Sequence, residues 1–285
     1  KRRRLIYEIS STNKNTMEAA KSVPRHTIKK TTEEGFAPDT IWKEPIKKNY
    51  SEYKNLIVCE KSEENKASTD EYFESYAHYG IHEEMLKDSH RTNSYRLAIE
   101  RNPHLFKDKI VLDVGCGTGI LSIFAVRAGA KHVYAVDCSD IIMKACEISR
   151  VNGYDDKITF VKGKVEDIEL PVERVDIIIS EWMGYFLLYE SMMDSVLFAR
   201  DMWLREGGLI FPDKAVLYVA GIEDYQYKKD KLECWNDMYD VNMSMIRDSS
   251  LREPTVDVIN SNQVCTDACS IFEVDLLTAT VNDLE

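Results

Sequence analysis

The strongest constraint on the fold is an alternation of two kinds of apolar run between residues 109 and 211. Continuous runs of Val and Ile indicate strands that are buried on both faces. Their alternation with helix-like runs is typical of an α/β protein with a mostly parallel sheet. The strand-like runs are residues 109–114, 132–137, 158–161, 175–180 and 208–211, and the helix-like runs are 120–128, 140–152 and about 189–203.

The pattern changes after this region. Residues 215–222 and 256–259 are predicted to be strands, and residues 225–246 are predicted to be helical and amphipathic. A second, β-rich domain therefore begins within residues 212–285. It has too few strands to close, and we expect it to be incomplete in the sequence as given.

Charge is distributed unevenly along the chain. Residues 1–70 contain 15 Lys and Arg against 11 Asp and Glu, whereas the remainder contains 22 against 38. We predict that residues 1–70 form a charged, mobile extension. The acidic remainder argues against nucleic acid as the main ligand, because phosphate contacts need a basic face. It is compatible with attraction of a cationic substrate, although plain solubility is the commoner reason for an acidic surface.

The cysteine pattern and the hydropathy indicate which cellular compartment suits the protein. Seven cysteines are scattered without a Cys-x-x-Cys pair, which is typical of a reducing compartment and predicts neither a disulfide framework nor a metal site. No run of about 18 apolar residues occurs, so no membrane span is expected. The basic residues 1–4 are not followed by an apolar segment, and we therefore expect no secretory signal there.

A glycine-rich loop follows the predicted strand at 109–114 and opens the predicted helix at 120–128. Gly115, Gly117 and Gly119 permit a tight turn in which backbone N–H groups approach a ligand closely. Asp137 ends the second strand, where a carboxylate can accept hydrogen bonds from both ribose hydroxyls. A dehydrogenase also combines glycines with an acid, but its spacing is Gly-x-Gly-x-x-Gly. The spacing here, with Asp113 before the first glycine, differs from that pattern and suits a ligand without a diphosphate, such as S-adenosylmethionine.

Two carboxylates flank a turn that is rich in aromatic residues. Glu181 comes directly after the predicted strand at 175–180, where open α/β sheets place their ligands, and Glu190 is predicted to open the next helix. Two carboxylates in one crevice repel each other unless a cation lies between them, and the planar guanidinium of arginine suits that place. Taken singly, Glu181 could be a solvated strand end and Glu190 a favourable charge at a helix N-terminus.

On these residues the chain resembles the protein arginine N-methyltransferases of the type I class. The resemblance extends from about Tyr72 to Glu285. It implies a Rossmann-like, S-adenosylmethionine-dependent methyltransferase domain at residues 71–211. It also implies that residues 212–285 are the beginning of a β-barrel substrate domain with a helical dimerisation arm at about 225–246.

The resemblance implies roles for individual residues. Glu181 and Glu190 match the acid pair that grips the substrate guanidinium, and they are the predicted catalytic residues. Arg91 is expected to pair with the methionyl carboxylate of the cofactor, Asp137 with its ribose and Glu166 with its adenine amino group. The implied substrate pocket is Tyr76, Met85 and Met183. The residues implied in cofactor binding are Tyr72, Phe73, His82, Arg91, Asp113, Gly115, Gly117, Gly119, Asp137, Val165 and Glu166.

The activity implied by the resemblance is transfer of methyl groups to guanidino nitrogens of protein arginines, giving mono- and asymmetric dimethylarginine. The implied partners are arginine-containing protein substrates, with Arg/Gly-rich segments and histones as candidates, and a second copy of the chain in a homodimer. Neither a membrane nor direct contact with nucleic acid is expected. The implied location is the nucleus and the cytoplasm.

Other interpretations stay open from the residues themselves. Residues 72–86 carry apolar side chains at helical spacing, which more often form a core stripe than a cofactor lid. His82 taken alone is more often the partner of a backbone carbonyl than a ligand. Asp88 matches an acid that the family pairs with the histidine of a Thr-His-Trp loop, and that loop is absent from the sequence. The alternative functions are methylation of a small molecule or RNA, and a cofactor-binding scaffold without catalysis.

Overall fold

The computed structural model describes residues 3–8, 53–59 and 78–284. Three residues predicted to belong to the site, Tyr72, Phe73 and Tyr76, lie outside the described residues, as does most of the predicted extension 1–70.

The elements are numbered in chain order. The described strands are β1 (Arg3–Glu8), β2 (Leu56–Val58), β3 (Ile110–Val114), β4 (His132–Asp137), β5 (Ile158–Lys162), β6 (Val175–Ser180), β7 (Leu204–Phe211), β8 (Lys214–Gly221) and β9 (Cys269–Asp275). The described α-helices are α1 (Tyr79–Lys87), α2 (Ser89–Glu100), α3 (Pro103–Phe106), α4 (Ile120–Arg127), α5 (Ile141–Val151), α6 (Met193–Trp203), α7 (Tyr225–Lys228) and α8 (Met245–Arg252).

The chain divides into two compact units. The first contains the described residues between 53 and 182 together with 194–212. The second contains residues 3–8, Met183–Met193 and 213–284. The sequence had assigned the segment Met183–Met193 to the domain at 71–211, whereas here it belongs with the second unit.

A parallel six-stranded sheet forms the centre of the first unit, as the sequence predicted. Its strands lie in the order β2-β5-β4-β3-β6-β7. The chain therefore runs outward from β3 through β4 and β5 and then returns to the other side of β3 as β6. In open α/β sheets the crevice at the carboxyl ends of the strands where this reversal occurs is the usual ligand site. Val114 of β3 lies opposite Ser180 of β6, so Gly115 and Glu181 leave the sheet side by side.

The middle strands are buried on both faces, which explains their uninterrupted apolar sequence. Val111 and Leu112 of β3 and Ile177, Ile178 and Ile179 of β6 are all in the core. Each fully buried side chain of this size stabilises the fold by about 1.5–3 kcal/mol. The tightly packed strands therefore fix the positions at which the polar loops begin at their carboxyl ends.

Two short helices are joined at Asp88. Asp88 ends α1, and its carboxylate accepts hydrogen bonds from the backbone N–H groups of His90 and Arg91, both at 3.1 Å, so that it caps α2. Such a cap contributes about 1 kcal/mol to helix stability. In the structure Asp88 thus fixes the start of the helix that carries Arg91.

The second unit contains an antiparallel sheet of three strands in the order β1-β8-β9. The predicted strand at 215–222 is confirmed as β8, which lies in the middle and pairs with both neighbours. β1 pairs with β8 from Arg3 opposite Gly221 to Glu8 opposite Val216. One apolar piece of the predicted mobile extension is therefore a strand of this sheet, and a second piece is β2 of the other sheet.

The predicted continuous helix at 225–246 was wrong. This segment consists of α7, a π-helical turn at Lys229–Glu233 and a 3-10 turn at Cys234–Asn236, and α8 begins only at Met245. Tyr239 and Asp240 have φ values of 55° and 62°, and Met238 bridges to Val241. A left-handed pair of residues cannot continue a right-handed helix, so the chain turns there.

Two further predictions of secondary structure were wrong. Residues 256–259 form no strand in the described structure, and Val258 is 94% exposed. The helix predicted from about residue 189 begins at Met193. Within the described parts of the chain, no helix has the length and apolar character needed to cross a membrane.

Candidate active site

The glycine-rich loop adopts a backbone that only glycine adopts easily. Gly115, Gly117 and Gly119 have φ values of 72°, 53° and 78°, in the left-handed region. A side chain in this region costs about 1–2 kcal/mol per residue. Space is also limited, since a Cβ atom at position 117 would lie 3.2 Å from the imidazole ring of His82, which is itself buried.

Backbone N–H groups of this loop donate hydrogen bonds to residues at the end of β4. The N–H groups of Gly115 and Cys116 both donate to the carbonyl of Val136 at 2.9 Å, and the N–H of Gly117 donates to the carboxylate of Asp137 at 2.8 Å. These donors therefore hold the loop against the end of β4. The sequence suggested that backbone N–H groups of this loop would point at a ligand. In the structure the N–H groups of Gly115, Cys116 and Gly117 are used within the protein, and the glycines instead leave room for a ligand to approach the backbone.

Hydrogen bonds to both carboxylate oxygens fix the orientation of the Asp137 side chain. One oxygen accepts from Gly117, and the other accepts from the backbone N–H of Ser139 at 2.8 Å and from its hydroxyl at 2.7 Å. A carboxylate has about four lone-pair sites, and three are used here, so Asp137 can accept about one further hydrogen bond from a ligand. Ser139 was missed by the sequence reasoning, although Asp-x-Ser is a common local turn pattern.

Asp113 is the fourth residue of β3 and lies two positions before Gly115. Its side chain has no exposed surface, and one carboxylate oxygen accepts a hydrogen bond of 2.6 Å from Ser122 on α4. Burial raises the pKa of Asp113 to about 7, opposed by the hydrogen bond from Ser122 and reinforced by the nearby charge of Asp137. The contact with Ser122 joins the strand before the loop to the helix after it, and the implied role of Asp113 in cofactor binding stays a prediction.

Glu166 and Val165 lie in a 3-10 turn, Val165–Asp167, that follows β5. A carboxylate oxygen of Glu166 accepts a hydrogen bond of 2.5 Å from the hydroxyl of Ser195 on α6. Val165 is buried, so its side chain packs in the unit while Glu166 is held by the neighbouring helix. The carboxyl ends of β3, β4 and β5 thus carry the glycine loop, Asp137 and Glu166 respectively.

Arg91 pairs with Glu181 in this structure. The guanidinium of Arg91 forms an ion pair with the carboxylate of Glu181, and both side chains are largely buried. The same guanidinium donates to the carbonyl of Met85 at 3.0 Å and contacts its sulfur at 3.4 Å. The resemblance implied that Arg91 contacts the cofactor and Glu181 the substrate, and it did not predict this direct contact between the two side chains.

The turn that contains Met183 and Glu190 is built by an unusual backbone. Phe186, Leu187 and Glu190 have φ values of 55°, 67° and 51°. At Gly184 a Cβ atom would lie 1.7 Å from the carbonyl oxygen of Tyr189, so only glycine fits.

Glu190 does not open a helix, because α6 begins three residues later at Met193. Glu190 and Met183 belong to the second unit, whereas Glu181 and Met85 belong to the first. The pairing of the two glutamates therefore stays a prediction, as does a pocket formed by the two methionines.

Two further polar residues lie at the end of β6 and were missed by the sequence reasoning. Ser180 and Tyr95 are both buried, and the hydroxyl of Tyr95 donates to the carbonyl of Ser180 at 2.9 Å. A weak signal existed for Tyr95, since it follows Arg91 by four residues and thus lies on the same face of α2. Among the described residues, no group of three or more His, Cys, Asp or Glu side chains could hold a metal ion.

Comparison with known proteins assigns both parts of the chain. Residues 111–208 match a family described as a methyltransferase domain, and residues 213–285 match the arginine methyltransferase oligomerization subdomain. Protein arginine N-methyltransferase 1 of Saccharomyces cerevisiae is 57% identical over 233 residues, which cover 81% of this chain and 67% of that protein. The chain belongs to the protein arginine N-methyltransferase family. The family membership expected from the sequence is thereby confirmed.

Other members of the family are similar over comparable lengths. Protein arginine N-methyltransferase 1 of Schizosaccharomyces pombe is 59% identical over 215 residues, covering 75% of this chain and 63% of that protein. The chain thus spans slightly less than two thirds of the length of this relative.

Solved structures of the family agree with the fold. The Trypanosoma brucei PRMT1 enzyme–prozyme heterotetrameric complex with AdoHcy is 52% identical, with a TM-score of 0.69 over 74% of this chain and 66% of the other. Protein arginine methyltransferase 10 of Arabidopsis thaliana is 36% identical, with a TM-score of 0.64 over 75% and 67%. The expected methyltransferase sheet followed by antiparallel strands is confirmed.

Proposed function

We propose that the protein transfers methyl groups from S-adenosylmethionine to guanidino nitrogens of arginine side chains in proteins. The observation that carries this proposal is the adjacency of β3 and β6, which brings the glycine loop after Val114 next to Glu181 after Ser180. A cofactor on the loop and an arginine on Glu181 would therefore be neighbours. Membership in the arginine methyltransferase family supports the same activity.

The residues at the carboxyl ends of β3, β4 and β5 fit the cofactor. The three left-handed glycines leave the backbone of the loop without side chains, and a Cβ atom added at position 117 would meet the His82 ring at 3.2 Å. Asp137 would hold the ribose, Glu166 the adenine amino group and Arg91 the methionyl carboxylate. When bound, S-adenosylmethionine supplies an electrophilic methyl group on a sulfonium centre.

The acceptor would be held by Glu181 and Glu190. Two carboxylates bind a guanidinium through paired, charge-assisted hydrogen bonds and draw its positive charge toward one nitrogen. The other nitrogen then keeps lone-pair density for attack on the methyl group. Positive charge gathers on the acceptor during the transfer, so the fixed carboxylates stabilise the transition state more than the ground state.

The same proposal covers the methylated product, the substrates and the cellular location. Met85 and Met183 have flexible thioether side chains, which suit a pocket that admits a monomethylated nitrogen a second time. The proposed product is therefore asymmetric dimethylarginine, with Arg/Gly-rich segments and histones as candidate substrates. The seven cysteines are all free thiols, which supports a reducing location such as the nucleus and cytoplasm.

The test replaces each glutamate by its nearly isosteric amide. The full chain, Glu181→Gln and Glu190→Gln are incubated with an Arg/Gly-rich peptide and isotopically labelled S-adenosylmethionine, and the peptide is analysed by fragmentation mass spectrometry. We expect the parent to form asymmetric dimethylarginine and each variant to lose roughly 100-fold or more in turnover, the scale for loss of one preorganised electrostatic group. Binding of S-adenosylhomocysteine to Glu190→Gln should change little.

Three outcomes contradict parts of the proposal. Normal turnover in both variants would show that neither glutamate carboxylate is needed to hold the substrate guanidinium. Mainly symmetric dimethylarginine would contradict the type I assignment. A parent that binds S-adenosylhomocysteine but methylates no arginine peptide would favour a cofactor-binding scaffold.

A further inference from the structure

Two buried hydroxyl groups connect the end of β6 to its surroundings. The hydroxyl of Tyr95 on α2 donates to the carbonyl of Ser180 at 2.9 Å. The hydroxyl of Ser180 in turn donates to the carbonyl of Val114 at 2.8 Å. Val114 immediately precedes the glycine loop, and Ser180 immediately precedes Glu181. The Ser180 hydroxyl therefore ties the end of β6 to the end of β3, and the Tyr95 hydroxyl ties α2 to the end of β6.

The same helix contacts two consecutive residues of this strand end. Arg91 and Tyr95 lie four residues apart on one face of α2. Arg91 forms its ion pair with Glu181, and Tyr95 donates its hydrogen bond to Ser180. Burial raises the pKa of Tyr95 well above its ordinary value, so its hydroxyl keeps its proton and acts as a donor at any working pH.

We propose that Tyr95 and Ser180 are positioning residues that hold Glu181 in place beside the glycine loop. This inference rests on the proposed function of Glu181 as a carboxylate that binds the substrate guanidinium. Glu181 follows the last residue of β6, where the sheet no longer fixes the backbone. The two buried hydrogen bonds therefore hold the backbone from which its carboxylate extends to the ion pair with Arg91. A displacement of about 1 Å at a reacting group costs on the order of 100-fold in rate.

A purely structural role predicts a different result. Loss of one buried hydrogen bond destabilises the fold, so it would lower the melting temperature by a few degrees and leave turnover unchanged. The positioning role instead predicts an effect on kcat that depends on the presence of the Glu181 carboxylate.

The experiment is a double-mutant cycle on the full chain. Tyr95→Phe removes only a hydroxyl, and it is measured alone and together with Glu181→Gln. We expect Tyr95→Phe to lower kcat about 10-fold while the affinity for S-adenosylhomocysteine stays within about twofold, and to have little further effect when Glu181 is already Gln. Ser180→Ala should lower kcat in the same way. The control for removal of a buried hydroxyl elsewhere is Ser149→Ala. Ser149 is fully buried near the far end of α5, and its hydroxyl has no hydrogen-bond partner among the described residues.

The outcomes separate this inference from the proposed function. Equal losses from Tyr95→Phe in both backgrounds, or a lower melting temperature with unchanged kcat, would overturn the positioning role. The proposed role of Glu181 would still stand if Glu181→Gln alone lowers turnover roughly 100-fold. Normal turnover in Glu181→Gln would overturn that role and the positioning role together.

A parent without arginine methylation would contradict the proposed function for this chain, and amide hydrogen exchange then decides the positioning role. Faster exchange at Glu181 and Trp182 in Tyr95→Phe than in Ser149→Ala, with S-adenosylhomocysteine bound, supports it. Equal exchange in the two variants overturns it.

Discussion

At the scale of single residues, Asp113 combines a buried carboxyl with a position directly under the glycine loop. Its pKa is raised to about 7 by burial, whereas an aspartate in an unfolded chain titrates near about 3.9. The folded state therefore binds a proton that the unfolded state releases. The resulting stabilisation is fully present below about pH 4 and is lost as the pH rises towards about 7.

Asp113→Asn should remove this pH dependence. Asparagine has nearly the same shape and can still accept the hydrogen bond from Ser122, but it does not ionise. The free energy of unfolding of the parent, minus that of the variant, should fall with rising pH by up to about 1.4 kcal/mol per pH unit in this window. Thermal unfolding of both proteins across the same pH range checks the prediction. Parallel pH profiles would show that Asp113 does not titrate there.

At the scale of elements, the loop between β3 and α4 combines left-handed glycines with a close neighbour. We expect Gly117→Ala to weaken binding of S-adenosylhomocysteine about 10-fold, because the methyl group strains the backbone at φ 53° and presses on the His82 ring at 3.2 Å. Gly153→Ala is a matched control, since φ is 73° and nothing lies within 4 Å. Both variants should lose about 1–2 kcal/mol of stability.

Titration calorimetry and thermal unfolding of the two alanine variants separate the effects. The cofactor affinity should fall in Gly117→Ala alone. An equal loss in both variants would mean that general destabilisation, and not the cradle, controls binding.

At the scale of the whole molecule, the second unit exposes large apolar side chains that suggest an interface with another copy of the chain. Tyr239 is 92% exposed and Met245 is 88% exposed, and they lie in the segment that was expected to act as the dimerisation arm. Exposed apolar groups gathered in one region mark interaction sites. Sedimentation should show a homodimer, and the double variant Tyr239→Ser, Met245→Ser should raise its dissociation constant at least about 10-fold.

The double variant Val151→Ser, Val258→Ser is the control for general surface effects, because both valines are exposed and lie outside that segment. A monomeric parent at high concentration would contradict the assembly prediction. A double variant at Tyr239 and Met245 that stays dimeric would place the interface elsewhere.

The sequence by itself determined the features that depend on local physics. The apolar runs at 109–114 and 175–180 predicted the buried strands β3 and β6, because a strand covered on both faces needs apolar side chains at every position. Gly115, Gly117 and Gly119 predicted the left-handed loop, because glycine alone adopts such angles without cost.

Predictions from local sequence patterns were wrong where contacts with distant residues determine the backbone conformation. The expected helix at 225–246 turns at Tyr239 and Asp240, although its apolar spacing is helical. The helix expected at Glu190 begins at Met193 instead. Amphipathic spacing states only that one face of a segment is to be buried, and the packing around the segment decides whether a helix is the way to bury it.

The tertiary structure alone decided the contacts that orient the site. Tyr95 and Ser180, Arg91 and Glu181, and Val114 and Ser180 are each separated by more than 60 residues along the chain. The burial of Asp113, and hence its raised pKa, likewise depends on the helix and strands packed around it. Such pairs leave no periodic trace in a sequence, because periodicity records which face of an element is buried and not which residue of another element lies against it.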